Sequence, residues 1–236
     1  MNKKDILRLK GIFSFISWFI IVRYSDILLG FIGIDISKFN IYIKMIFNVS
    51  MEILSIGVIF YLFKKELTNM FEDFYENSRY YFSKYFKCWF WVLICMYIGN
   101  FVIILLSPNM AGPNNQELIV EMFKQHPIYT FILSVILAPI IEELVFRFGF
   151  KHIFTNKHVF ILISGLIFGA FHIIGSYETL SDLLYIIPYS IPGLIFAKVY
   201  YESKNIFITM WLHFVHNGSV MLLQVLLLIF NVQLPF

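Results

Sequence analysis

Apolar runs of bilayer length recur from one end of the chain to the other, parted by short polar breaks. About 20 consecutive apolar residues suffice to cross a hydrocarbon core as a helix. Runs of that kind cover residues 11–34, 41–63, 88–106, 128–150, a stretch from 159, 183–201 and 206–230. The pattern predicts seven transmembrane helices, give or take one. The breaks carry turns: DISKFN before the second run, Pro108, Gly112, Pro113 and Asn114 after the third, and ESKN before the last. Residues 64–87 differ. They mix Lys64, Lys65, Arg79, Lys84 and Lys87 with acidic and aromatic positions, which predicts an amphipathic segment on the membrane surface.

Composition agrees with this and excludes a soluble protein. Of 236 residues 59% are hydrophobic and 14% charged, where a soluble domain carries about 25% charged residues. The expected fold is all-α, a polytopic transmembrane bundle, read as one integral membrane domain over 1–236. Its N-terminal spans occupy about 11–106 and its chemical core about 128–230. The net charge of +3 is small but unevenly placed. Thirteen Lys and Arg fall in 1–10, 64–87, 151–158 and 198–205, against three in the opposite breaks. By the positive-inside rule this predicts a multi-pass protein of the cell membrane, N-terminus cytoplasmic and C-terminus extracytoplasmic. The basic residues thus argue for topology, with no motif for nucleic acid. The first apolar run lacks a cleavage pattern and is expected to remain as a helix. The two cysteines, Cys88 and Cys95, lie about 10 Å apart along one helix, too far for a disulfide.

Polar residues inside the runs stand out, because an ionised group within a bilayer is costly and usually functional. Arg23 and Asp26 in the first run are spaced to pair with each other, and Glu52 in the second reads as a structural group. The fourth run carries Glu142, Glu143 and Arg147. Residues four apart nearly eclipse on an α-helix, whereas neighbours diverge by about 100°. Glu143 therefore pairs with Arg147, and Glu142 is left as the carboxylate available to act as a base. The fifth run holds His172 behind Gly165 and Gly169, which permit close helix approach. The last run sets His213 and Asn217 on one face, with His216 between them; such a pair can donate two hydrogen bonds to a developing oxyanion. At about 1.5 Å per residue, Glu142 and His213 lie about 10 Å from the basic ends of their spans, but His172 nearer 20 Å. The expected resolution is a fifth helix that starts below the membrane surface, with 151–158 partly helical.

Glu142-Glu143-x-x-x-Arg147, Phe168-x-x-x-His172 and His213-x-x-x-Asn217 resemble, in order and from about residue 128 onward, the three motifs of the CPBP family. These are the CAAX-processing endopeptidases and bacterial relatives that include bacteriocin-processing and immunity proteins. The resemblance implies a CAAX-endopeptidase-like core and an intramembrane peptidase. Glu142 and His172 would activate a water, His213 and Asn217 would form the oxyanion site, and Glu143 and Arg147 would support them. The substrate class implied is a membrane-associated peptide or protein, with pheromone or bacteriocin maturation, or immunity, as roles. A zinc site would use Glu142, His172 and His213, but the chain has no HExxH and a glutamate-activated water needs no metal, so no cofactor is the preferred expectation. Entry is expected from the cytoplasmic half of the bilayer, helped by a bend at Pro188 and Pro192. The alternative is a non-catalytic membrane scaffold or immunity protein that binds a partner; a proton-coupled transporter ranks behind it, since no inverted repeat is visible.

Overall fold

The computed structural model describes residues 2–106, 114–174 and 176–230. Pro108, Gly112 and Pro113 lie outside them. The described residues form eight helices: α1 Lys3–Phe31, α2 Ile41–Leu62, α3 Lys64–Leu106, α4 Asn114–Gln125, α5 Pro127–Ile153, α6 Lys157–Ile173, α7 Ile186–Ser203 and α8 Ile206–Ile229. A 3₁₀ turn, Leu180–Tyr185, leads into α7. Six helical stretches are long and apolar enough to cross a membrane: α1, α2, α3, α5, the 3₁₀ turn with α7 (Leu180–Ser203), and α8; α6 is apolar but has 17 residues. The chain is an all-α polytopic bundle.

Asparagine starts four of these helices. Asn2, Asn40, Asn156 and Asn205 each accept from a backbone N–H of the first turn, and Asn156 takes two, from His158 and Val159, at 2.9 and 3.1 Å. Each thereby satisfies donors that a helix N-terminus leaves open. Asn156 also divides 151–158 as expected, for α5 runs to Ile153 and α6 begins at Lys157.

One expectation needs correction, and one boundary is refined. Residues 64–87 are helical and join the third span, α3 running from Lys64 to Leu106 across a kink at the one non-helical residue, Asn77 (φ −110°, ψ 17°). No proline or glycine interrupts 64–98, and a change from polar to apolar composition does not by itself end a helix. The polar end of α3 is instead anchored to the turn between α7 and α8: Asn205 Nδ2 donates to Met70 O at 2.7 Å and to Asp73 Oδ2 at 2.8 Å. In α1, Asp26 accepts from the Ile27 N–H at 2.8 Å rather than pairing with Arg23.

α5 lies at the centre. Every residue from Glu143 to Gly149 is buried, and Leu144, Phe146, Phe148 and Phe150 share one apolar cluster with α1, α2, α6, α7 and α8. It is not a uniform α-helix. Ile132–Leu137 and Glu143–Gly149 are π-helical, and only Ala138–Glu142 between them is α-helical. Such turns are rare and tend to occur at functional sites. The tightest packing is between α6 and α7, where a Cβ on Gly193 would meet the Gly165 backbone at 2.8 Å and one on Gly169 would collide with Ser190 Oγ.

Candidate active site

The seam between the α- and π-helical parts of α5 falls between the two glutamates, Glu142 ending one and Glu143 beginning the other. Glu143 points into the core and is fully buried with Arg147. Its Oε1 lies 3.2 Å from Arg147 Nη1, so the ion pair read from the spacing is present. It is not aligned as a hydrogen bond, because the guanidinium nitrogens have no hydrogen-bond partner. The guanidinium lies instead over the Phe168 ring, 4.1 Å from its centroid, where the negative ring face attracts a cation. Charge and ring together offset the burial of a group that neither would hold alone.

Glu143 does more than pair. The same Oε1 accepts a 2.9 Å hydrogen bond from His213 Nδ1 of α8. This fixes the imidazole and turns Nε2 toward Glu142, whose Oε2 lies 3.7 Å away. Glu142 keeps a fifth of its side chain exposed while Glu143 keeps none. Two adjacent carboxylates thus have different surroundings: one in an ion pair at the core, one at the edge of an imidazole.

His172, on α6, is held in the same manner. Its Nδ1 donates to Phe168 O at 2.9 Å, which leaves Nε2 as the unprotonated, basic nitrogen of the neutral ring. Phe168 on one side and Tyr189 of α7 on the other flank the ring, at 4.5 and 5.0 Å between centroids. Phe168 also touches His213, at 5.7 Å. Both histidines therefore pack on one phenylalanine, and the difference in depth inferred from residue counts does not separate them. Asn217, one turn beyond His213, donates from Nδ2 to the Ser134 carbonyl at 2.8 Å. Ser134 lies in the first π-helical segment of α5.

His172, His213 and Asn217 share a cleft with His216. Glu142 is not on its wall; it reaches the group through His213. The cleft follows α8 as far as Gln224 and meets Gln116 and Ile119 of α4. From His213 to Gln224 is about 16 Å along the helix. In the other direction Ile208, Thr209 and Leu212 are fully buried. The cleft thus runs along α8 away from the basic flanks.

Among the described residues no group of three or more His, Cys, Asp or Glu side chains is arranged to hold a metal ion. Sequence reasoning missed Ser134, Tyr189, Gln116 and Gln224. The last had a signal, the recurrence of His216, Val220 and Gln224 every four residues along one face of α8.

Comparison with known proteins finds similarity over part of the chain. Residues 124–219 match the profile described as type II CAAX prenyl endopeptidase Rce1-like. The chain is 30% identical over 142 residues to YdiL of Bacillus subtilis strain 168, whose name calls it a candidate membrane peptidase; the match covers 54% of each chain. It is 28% identical over 205 residues to the membrane-embedded CAAX protease MroQ of Staphylococcus aureus strain USA300, covering 82% of this chain and 78% of that one. No solved structure matches.

Proposed function

From the match of residues 124–219 to the Rce1-like CAAX endopeptidase profile and the site geometry, we propose that the protein is an intramembrane endopeptidase that hydrolyses a membrane-associated peptide or protein. The observation that carries the reading is the pair of histidines on one cleft. Each is anchored through Nδ1, and Glu142 stands at the edge of one of them. Glu142 and His172 Nε2 take a proton from a water, and its oxygen adds to the scissile carbonyl. His213 Nε2, protonated and balanced by Glu143, and the second N–H of Asn217 hold the resulting oxyanion. The proton passes to the amide nitrogen, the C–N bond breaks, and an acid and an amine leave. Glu143 and Arg147 keep the His213 ring in place. No step uses a metal. The protein sits in the cell membrane with its N-terminus cytoplasmic, as the thirteen basic flank residues argue. Peptide pheromone or bacteriocin maturation, or immunity, is the role.

One observation favours a second reading. Glu142 lies off the cleft wall, as it would in a membrane scaffold that binds a partner without cutting it. Purified protein in nanodiscs, offered membrane-tethered reporter peptides, separates the two. Cleavage that disappears in Glu142→Gln and in His172→Ala, and is indifferent to a chelator, supports the peptidase. Loss with chelator and recovery with zinc would replace this mechanism by a metal-dependent one. Cellular function that survives both substitutions would establish the scaffold.

A further inference from the structure

His216 is the third imidazole on the cleft and has no part in the mechanism above. Its ring is 6% exposed. Its Nδ1 has no hydrogen-bond partner, whereas the same atom of His172 and of His213 is bonded within the chain. A buried polar atom left unpaired costs about 1–3 kcal/mol, and most such atoms in folded proteins find partners. His216 itself lines the cleft beside His213 and Asn217. The wall around it carries no Asp, Glu, Lys or Arg, so the occupant presents a neutral polar group. Apolar Val220 and Met221 lie beyond His216 along α8, and an amide, Gln224, follows them. A neutral hydrogen-bonding group beside an apolar wall, next to the candidate catalytic residues, matches the main chain of an extended apolar peptide.

We propose that His216 is a substrate-binding residue. Its Nδ1 forms a hydrogen bond with a main-chain amide of the bound peptide and aligns that peptide along α8 from His213 toward Gln224. This rests on the peptidase reading and names the group that grips its substrate.

The test uses the full chain in nanodiscs with a membrane-tethered fluorogenic peptide bearing an apolar segment. His216→Phe keeps a ring and removes the nitrogen; His216→Asn places an amide near the position of Nδ1. The expected result is a KM about tenfold higher in His216→Phe, the size of one net hydrogen bond, with kcat within twofold and most of the loss recovered in His216→Asn. Binding of the same peptide to Glu142→Gln, which does not cut, weakens by the same factor when His216→Phe is added. A fall in kcat at constant KM overturns the proposal, as does equal damage in both variants with a lowered melting temperature. Peptide binding to Glu142→Gln that ignores His216 overturns it while the peptidase stands, and a wild-type protein that neither binds nor cuts overturns both.

Discussion

α5 and the first three helices are about equally apolar, yet they handle their polar residues in opposite ways. In α1, α2 and α3 apolar side chains face outward, Tyr61 at 84% exposure among them, as lipid contact requires. Their charged and amide groups are held less deeply: Asp26 serves its neighbour's amide and Asn48 donates to Tyr129 OH at 3.3 Å, while of the small polar groups Ser14 and Ser55 are buried and Glu52 sets one carboxylate oxygen inside. In α5 the polar groups are turned inward and the apolar ones packed around them, with Glu143 and Arg147 at zero exposure inside an aromatic shell. Hydropathy along the chain is blind to this difference. It measures how apolar a helix is, but not which way its few charges face.

Substitutions test the contrast from its strongest point downward. Glu142→Gln and His172→Ala should each lower kcat by about 10²- to 10⁴-fold, the range of a lost general base, with the melting temperature in detergent little changed. Arg147→Met leaves the Glu143 carboxylate buried without its cation and should cost about 3–5 kcal/mol in denaturant unfolding. The double replacement Glu143→Gln with Arg147→Met should recover most of that stability while activity stays low, because His213 loses its charged anchor. Gly193→Ala pushes a methyl against the Gly165 backbone and should cost about 1–3 kcal/mol. Asn156→Ala removes the cap of α6, at about 1 kcal/mol. On the lipid face Tyr61→Leu should stay within about 0.5 kcal/mol in the same assay; a larger effect there would erase the distinction between the two regions.

Much of the fold was legible because a bilayer restricts the choices: apolar runs gave the helices, and the turn residues between them gave the breaks. The join of 64–87 to 88–106 was not legible, since amphipathic and transmembrane helices share one backbone and differ only in what surrounds them. Within the candidate site the four-residue spacing picked out Glu143 and Arg147, although that stretch is π-helical, because long side chains bridge either geometry. The bond from His213 to Glu143 joins positions 70 residues apart, and no local spacing encodes it. The same holds for Asn217 and Ser134, where the acceptor is a backbone carbonyl and leaves no mark on residue identity.

The two π-helical segments give α5 an unusual sensitivity to length. Each accommodates a wider turn than its neighbours, so removing a single residue from 132–137 would let the strand of backbone relax to an ordinary helix and rotate all that precedes it by about 100° relative to the glutamates. Ser134 would swing away from Asn217 although both residues were still there. Evolution or an engineer can exchange side chains along this helix with some freedom, but the number of residues in it is itself a specification, and a gap in an alignment there would signal lost chemistry more reliably than many substitutions.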